Sequence, residues 1–256
     1  MITSRRIFMS KQNRWNQITE ICHRQDKVSV EELVHILQVS PATIRRDLQE
    51  MEDQNLILRY HGGAMISDDQ SDEPAMIIKN VSNIDAKKQI AFYAAKRIQD
   101  NQMIYIDAGS TTLLMLDYIT ARNITVVTTG IPHLSVLGKK KITTIVPGGT
   151  LRWGTQALSG KLAVKNLSEM YFDACFVGTN GIHEHIGFTT ANEMEAETKS
   201  TAIHQSKNAY ILTDHTKFNL LCPVQFAELK DAEIICDYVQ DFDKTKIKVT
   251  EVMKHD

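Results

Sequence analysis

Six short apolar runs, separated by helical stretches, occupy the last two thirds of the chain and restrict its fold more than any other feature. They are MIYID, ITVVT, TTIVP, ACFVG, AYILT and EIIC, beginning at residues 103, 124, 143, 174, 209 and 233. Helical patterns lie between several of them, notably over about residues 192–206. Short apolar strands that alternate with helices predict an α/β domain with a mostly parallel sheet, covered on its faces by helices.

Composition and targeting signals indicate which classes of protein are excluded. With 256 residues, of which 43% are hydrophobic, the chain has the composition of a globular protein of one or two domains. No apolar run is long enough for a membrane-spanning helix, and the N-terminal segment lacks the apolar core of a secretory signal. The four scattered cysteines indicate neither a disulfide framework nor a zinc site. We therefore expect a cytoplasmic protein without a membrane partner, whose translation starts at Met1 or Met9.

The first 66 residues show a different pattern, that of three short helices followed by a hairpin. Ser29 and Glu32 have the spacing of a capping box, in which each side chain bonds the backbone N–H of the other residue. Ser40 is the predicted N-cap of the next helix, and Pro41 suits its first position. Since only three residues separate the two helices, they form a tight helix–turn–helix.

The helix that begins at Pro41 has an outward face suited to DNA. Ile44, Leu48 and Met51 recur at the spacing of a buried stripe, so Ala42, Arg46 and Gln49 lie opposite them, flanked by Thr43 and Arg45. Arginine reads guanine or holds phosphate, glutamine reads adenine, and small side chains contact the thymine methyl group. A solvated helical domain is the alternative interpretation. The predicted DNA contacts, including a β-wing over residues 56–64, are Ser40, Ala42, Thr43, Arg45, Arg46, Gln49, Arg59 and His61.

Charge and composition divide the chain into two parts. Residues 1–30 carry six basic and two acidic side chains, although the whole chain has a formal net charge of −2. A basic start on an acidic body is typical of proteins with a polyanionic partner, and also of an ordinary solvated face. The acidic, proline-containing stretch that follows residue 66 reads as a linker. We therefore predict a DNA-binding domain over 1–66, a linker over 67–83 and a second domain over 84–256.

A loop in the second domain has the features of an anion site. Asp107-Ala-Gly-Ser-Thr-Thr112 follows an apolar strand and opens a helix, where backbone N–H groups and hydroxyls are available to phosphate. The same residues also suit a simple helix cap. The chain has neither a GxGxxG fingerprint nor a P-loop, so we predict no nucleotide cofactor, and the histidine and carboxylate spacings predict no metal.

The N-terminal motifs, from Ser40-Pro-Ala-Thr-Ile-Arg-Arg-Asp-Leu48 to His61-Gly-Gly-Ala64, closely resemble those of the DeoR-type winged helix–turn–helix. By this resemblance the helix–turn–helix spans Val28 to Asp47. The second domain resembles the DeoR-family sensor domain, which is similar to sugar-phosphate isomerases and binds a phosphorylated sugar or related metabolite. The resemblance covers about residues 12–240, and it leans towards repressors of glucitol or phosphotransferase-imported sugars.

The resemblance and the chemistry of the side chains together give a set of effector-binding candidates. Gly109 and the hydroxyls that follow it are expected to hold phosphate, and Gly148 and Gly149 to allow another part of the backbone to approach closely. Cations are expected to neutralise the phosphate, and carboxylates and an amide to bind sugar hydroxyls. Each has a structural alternative, such as a cap, an i,i+4 ion pair or a surface charge. The candidates are Asp107, Gly109, Ser110, Thr111, Thr112, Gly130, Gly148, Gly149, Arg152, Asn180, Gly181, Glu195, Lys199, Asp214 and Lys217.

Two functions of different class remain at this stage. A regulator is predicted to bind operator DNA as a homodimer or homotetramer and to repress a carbohydrate operon until a sugar phosphate or sugar-alcohol phosphate relieves it. A sugar-phosphate isomerase-like enzyme would need a positioned acid and base, and no specific catalytic pair is evident in the sequence. We favour the regulator, for which no catalytic residues are predicted.

Overall fold

The computed structural model describes residues 11–25, 27–53, 57–60, 62–65, 79 and 82–252. By their internal contacts, the residues form two compact units, Met1–Ser82 and Asn83–Asp256. His61, Met9 and nearly all of the predicted linker lie outside the described residues. The predicted domain boundaries stay predictions, and the two units are described separately below.

The first unit has the predicted winged helix–turn–helix architecture. Its strands pair antiparallel in the order β1-β3-β2, so that the β2–β3 hairpin forms the wing. The predicted stripe of Ile44, Leu48 and Met51 is buried in one core with Trp15, Ile18 and Leu33 of the two preceding helices. The elements are α1 (Lys11–Gln25), β1 (Lys27–Ser29), α2 (Val30–Leu37), α3 (Pro41–Asp53), β2 (Leu58–Tyr60) and β3 (Gly63–Met65).

Local chemistry sets the tight turn between α2 and α3. The Ser29 hydroxyl accepts from the Glu32 N–H at 3.1 Å and the Glu32 carboxylate accepts from the Ser29 N–H at 2.8 Å, which confirms the capping box. Gln38 takes a left-handed conformation with φ of 53°, which ends α2 abruptly. Ser40 then caps α3 by accepting from the Thr43 N–H at 3.2 Å.

The second unit contains a seven-stranded parallel sheet in the order β15-β14-β12-β9-β4-β5-β6. Helices and strands alternate along most of this unit, as predicted. Its helices are α4 (Ile84–Ala95), α5 (Ser110–Met115), α6 (Ile131–Lys139), α7 (Lys161–Ser168) and α8 (Glu193–His204). The strands of the sheet are β4 (Met103–Ile106), β5 (Thr125–Thr128), β6 (Thr143–Ile145), β9 (Ala174–Gly178), β12 (Ala209–Thr213), β14 (Glu233–Cys236) and β15 (Val249–Glu251).

Two smaller antiparallel pieces were not predicted from the sequence. One is the hairpin of β7 (Thr150–Arg152) and β8 (Ala157–Ser159). The other is a three-stranded sheet of β10 (Gly181–His183), β11 (Gly187–Thr190) and β13 (Val224–Ala227). Their strands are only three or four residues long, and none of them is a continuous apolar run of the kind that identifies the parallel strands.

The parallel sheet separates two apolar cores. Ile104 and Ile106 pack in one core and Tyr105 in the other, because successive side chains of a strand point to opposite faces. Strands buried on both faces read as continuous apolar runs, which is why the six runs of the sequence predicted six strands of this sheet. The seventh, β15, has the sequence Val-Thr-Glu and was not predicted.

Candidate functional sites

The outward face of α3 is exposed as the sequence predicted. Ala42, Arg45, Arg46 and Gln49 are exposed, and Thr43 is half-buried. The Arg46 side chain is 83% exposed, and its Nε donates a 3.2 Å hydrogen bond to Glu50 one turn later. Because such an exposed pair contributes little to stability, these side chains are available to a partner.

A buried carboxylate, which sequence reasoning did not single out for this role, fixes the position of α3 within the unit. Asp47 is 3% exposed and accepts hydrogen bonds from Arg14 Nε at 2.6 Å and from Trp15 Nε1 at 3.2 Å, both on α1. The hydrogen bond to Asp47 raises the pKa of the Arg14 guanidinium, against the opposing effect of burial. This network holds the two helices together on the side opposite the exposed face.

The wing lies against α3 through Arg59. Its guanidinium donates to the Gln49 side-chain oxygen, and its backbone N–H donates to Glu52 Oε1 at 3.1 Å. Two predicted DNA contacts, Gln49 and Arg59, are thus brought together. Gly63 is required at the start of β3, next to the turn of the wing, since a Cβ there would lie 2.3 Å from the Val28 carbonyl oxygen. His61, the remaining predicted wing contact, lies outside the described residues.

In the second unit, many predicted effector residues follow the carboxyl ends of neighbouring strands. Asp107 follows β4, Gly130 follows β5, Asn180 follows β9 and Asp214 follows β12. From β4 the chain proceeds to β5 and β6 on one side and later returns to β9 on the other. The switch point of this topology therefore lies between β4 and β9, where open α/β sheets bind their ligands.

A buried ion pair occupies this switch point. Lys199 Nζ of α8 donates to Asp107 Oδ2 and, at 3.1 Å, to the Gly178 carbonyl at the end of β9. The Gly178 N–H donates to the same Asp107 oxygen at 3.1 Å. Both side chains are at most 7% exposed. The fold thus brings together two predicted residues that lie 92 positions apart.

The predicted anion loop is held together by its own hydrogen bonds. The Gly109 N–H donates to the Thr112 hydroxyl at 2.9 Å, and that hydroxyl donates to the Asp107 carbonyl at 2.6 Å. We predicted ligand donors from all four residues of Gly109–Thr112. The structure instead commits the Gly109 amide and the Thr112 hydroxyl to shaping the loop, while Ser110 and Thr111 open the short helix α5.

His133, which sequence reasoning missed, lies behind this loop. It is fully buried, with Nε2 at 3.4 Å from the Thr112 hydroxyl, whereas Nδ1 has no hydrogen-bond partner among the described residues. Burial lowers the pKa of His133 to about 4, although the charge of Asp107 opposes the shift. A Cβ on Gly130 would lie 2.2 Å from Nδ1, so this glycine makes room for the ring. The spacing of His133 and Leu137 on one helical face was the available signal.

The β7–β8 hairpin brings a second pair of predicted residues together. Arg152 Nε lies 3.6 Å from Glu195 Oε1 of α8, and the Thr155 hydroxyl donates to the same oxygen at 2.8 Å. Gly149 has a φ of 117°, and a Cβ there would lie 2.6 Å from the Ser159 carbonyl, so it permits the close backbone approach that was predicted.

Three further candidates sit at the edges of this region. Gly181 packs against the Leu220 carbonyl, where a Cβ would lie 2.5 Å away, whereas at Gly148, with φ of 80°, a Cβ would meet only the Leu162 side chain, at 3.4 Å. Asn180 Oδ1 accepts from the Thr190 hydroxyl at 3.4 Å. The glycines therefore have packing or conformational roles in the described structure.

Asp214 lies in a polar cluster of its own at the end of β12. It is 3% exposed and accepts hydrogen bonds from Asn83 Nδ2 and from the Thr216 N–H, each at 3.1 Å. Burial alone would raise the pKa of Asp214, but the hydrogen bonds of Thr216 and the charges of Lys217 and Lys87 outweigh it, so the pKa lies below its usual value. The predicted residue Lys217 is thus brought to Asp214, together with Lys87, which was not predicted.

No group of three or more histidine, cysteine or acidic side chains is placed to hold a metal ion in the part of the chain that the structure describes. Within the same residues, none of the helices has the length and apolar character needed to cross a membrane.

Comparisons with known proteins extend over both units. A family model described as "DeoR-like helix-turn-helix domain" matches residues 14–70, and one described as "DeoR C terminal sensor domain" matches residues 82–238. The chain is 37% identical over 243 residues to the "Uncharacterized HTH-type transcriptional regulator FruR" of Bacillus subtilis, covering 92% of this chain and 97% of that protein.

A second relative and a solved structure complete the comparison. The "Lactose phosphotransferase system repressor" of Staphylococcus epidermidis is 29% identical over 240 residues, which cover 92% of this chain and 95% of that protein. The structure of ribose 5-phosphate isomerase A from Methanocaldococcus jannaschii aligns with 54% of this chain and 55% of its own, at 18% identity and a TM-score of 0.38.

Proposed function

Because the chain belongs to the DeoR family of transcriptional regulators, we propose that it represses a carbohydrate-utilisation operon and that a phosphorylated sugar or sugar alcohol relieves the repression. The resemblance predicted from the sequence motifs is confirmed by these family matches. The chain is accordingly a DNA-binding regulator of sugar metabolism, and the effector, its site and the DNA-contact residues are the subjects of the proposal.

The DNA-binding part of the proposal rests on α3. Its exposed residues include Arg45 and Arg46, two cations without a buried partner on a helix that is fixed from behind by Asp47. A recognition helix needs this combination of a rigid position and an exposed polar face in order to enter the major groove. One winged domain contacts only a short stretch of DNA, so we expect the protein to bind repeated half-sites of its operator as a homodimer or homotetramer. We place this regulator in the cytoplasm.

The observation that carries the effector proposal is the lysine buried at the switch point of the sheet. Lys199 lies between the ends of β4 and β9, beside the Asp107–Thr112 loop, and the predicted residues Arg152 and Lys217 supply further cations in this unit. Buried or half-buried cations next to hydroxyls and carboxylates suit a ligand that has a phosphate at one end and sugar hydroxyls at the other. The relative named as a lactose phosphotransferase system repressor supports a phosphorylated sugar as the effector class.

Operator binding in the presence of metabolites tests the proposal. The affinity of the protein for the DNA upstream of its own gene is measured by fluorescence anisotropy, with and without fructose 1-phosphate, fructose 6-phosphate, glucose 6-phosphate, glucitol 6-phosphate and ribose 5-phosphate. We expect one compound to weaken binding by about 5–150-fold, which is the usual range of allosteric coupling. Its unphosphorylated form should have no such effect.

Calorimetry and NMR give the deciding outcomes. Equal calorimetric affinity for a phosphosugar and its unphosphorylated form would contradict the phosphate anchor. Interconversion of aldose and ketose phosphates, followed by NMR with the purified protein, would support the isomerase-like alternative instead. If the effector instead tightens operator binding, the proposed effector site stands, but the effector promotes repression rather than relieving it.

A further inference from the structure

The sensor unit begins at a residue that is hydrogen-bonded to Asp214. Asn83 is the first residue of that unit and lies at the N-terminus of α4. Its side-chain Nδ2 donates to Asp214 Oδ1 at 3.1 Å, across 131 positions of sequence. The chain that leaves the DNA-binding unit is therefore joined covalently to the sensor unit at Asn83.

The side chain of Asn83 does not serve its own helix. Asparagine is a favoured N-cap because its side-chain oxygen accepts a backbone N–H of the first turn. Asn83 instead has a left-handed backbone, with φ of 51° and ψ of 37°, and makes no such capping bond. The side chain therefore has a tertiary role, which is its bond to Asp214.

The first turn of α4 and the end of β12 share one carboxylate. Asp214 accepts from Asn83 and twice from Thr216, through its N–H and its hydroxyl. Lys87, one turn into α4 and only 6% exposed, acts on the same carboxylate through its charge. All three donors bond the same oxygen, Oδ1, which has only two lone pairs, so a ligand that donates to Oδ1 competes with the Asn83 side chain.

We propose that Asn83 is the positioning residue through which occupancy of the effector site reaches the segment that joins the two units. The inference rests on the proposed function, in which Asp214 reads the effector. A ligand changes operator affinity only through contacts that differ between the two states, and in this proposal the Asn83–Asp214 hydrogen bond is the contact that differs. An effector hydroxyl that donates to Asp214 Oδ1 takes the place of the Asn83 side chain, and this releases the start of α4.

The variant Asn83→Gly removes this hydrogen bond and retains the left-handed backbone, because glycine adopts positive φ without strain. Asn123→Gly is the matched control, since Asn123 also has a positive φ, of 55°, is exposed, and precedes the amino end of β5 at the opposite edge of the sheet. For each variant, operator affinity is measured without and with whichever of the five phosphosugars above shifts the unmodified protein most. Calorimetry measures the binding of that compound itself.

We expect Asn83→Gly to reduce the effector-induced change in operator affinity at least fivefold, while the calorimetric affinity for the phosphosugar stays within about threefold. Asn123→Gly should retain the full change. A full response in Asn83→Gly would overturn this inference and leave the proposed function intact, and loss of phosphosugar binding would make Asn83 part of the site rather than its transmitter. If no compound affects the unmodified protein, the proposed function fails, and this inference fails with it.

Discussion

The two units of the chain hold their polar functional groups in opposite ways. In the DNA-binding unit the polar face of α3 is open to solvent, and the Arg46 side chain is 83% exposed. In the sensor unit the corresponding groups are buried and paired, and the Lys199 side chain is 7% exposed. The first arrangement suits a partner with a large, charged surface, whereas the second suits a small ligand that must be enclosed. The difference also predicts which substitutions affect stability and which affect binding alone.

Breaking the buried pair should have the largest effect. Lys199→Met leaves Asp107 as a buried carboxylate without its cation, which costs about 3–5 kcal/mol of unfolding free energy. The double variant Asp107→Asn with Lys199→Met removes both charges and should recover most of that loss. Urea denaturation followed by circular dichroism measures the difference. Arg46→Ala on the exposed face, as a control, should change the unfolding free energy by only about 0.5 kcal/mol or less.

If Lys199→Met is as stable as the unmodified protein, the claim that Lys199 stabilises the buried Asp107 carboxylate is wrong. That result would mean that Asp107 reaches water or another cation when the lysine is absent. The buried and exposed charges of the two units would then differ less than their accessibilities indicate.

The buried His133 should give the sensor unit a pH dependence. The pKa of its ring is about 4 in the folded state, below the usual value of 6.5. The unfolded chain therefore binds a proton in a range where the folded chain does not, so stability falls as the pH is lowered from about 6.5 to about 4. The loss from this residue amounts to about 3 kcal/mol by pH 4. His133→Gln should flatten this part of the curve of unfolding free energy against pH.

A matched histidine separates this effect from general acid sensitivity. His204 is exposed at the end of α8, and His204→Gln should leave the slope between pH 4 and 6.5 unchanged. An identical slope in His133→Gln and the unmodified protein would show that the ring takes up its proton over the same pH range in the folded and unfolded chains, contrary to this prediction.

Substitutions on the exposed face should affect operator affinity alone. Arg45→Ala and Arg46→Ala each remove a side chain that a base or a phosphate would bind. Loss of a base contact should cost about 1–3 kcal/mol and relax specificity at one position. Loss of a phosphate contact should weaken all sequences alike and reduce the salt dependence by about one counterion. Anisotropy titrations over a range of salt concentrations separate the two, and unchanged affinity in both variants would contradict the assigned face.

The recognition face of the DNA-binding unit could be predicted from the sequence, whereas the buried ion pair of the sensor unit could not. The recognition face lies on one helix, so periodicity over Ile44, Leu48 and Met51 was sufficient to find it. The sheet was found because strands buried on both sides are continuous apolar runs. The pairing of Asp107 with Lys199 depends on the order of the strands, which no local pattern contains. The loop pattern pointed to Asp107, and the family resemblance together with side-chain chemistry pointed to Lys199, but neither predicted their contact.

The missed residues differ in how much signal they carried. Lys87 stands on the same helical stripe as Ile90, Ala91 and Ala94, and a lysine on a buried stripe indicates a special role. Asn83 carried no comparable signal, because its left-handed backbone and its partner across 131 residues are tertiary features. The short antiparallel strands also escaped prediction, since three or four residues are too few to show alternation.

The smallest expected effect compares two serine caps within the DNA-binding unit. Ser29 and Ser40 both accept the backbone N–H three residues later, at 3.1 and 3.2 Å, and so stabilise the starts of α2 and α3. Replacing either by alanine should lower the unfolding free energy by about 1 kcal/mol. Only Ser40 lies at the start of the predicted recognition helix, where hydroxyls and backbone N–H groups contact phosphate. Ser40→Ala should therefore also weaken operator binding, whereas Ser29→Ala should not. Denaturation and anisotropy on the same two proteins measure both quantities, and equal operator affinities would confine Ser40 to its capping role.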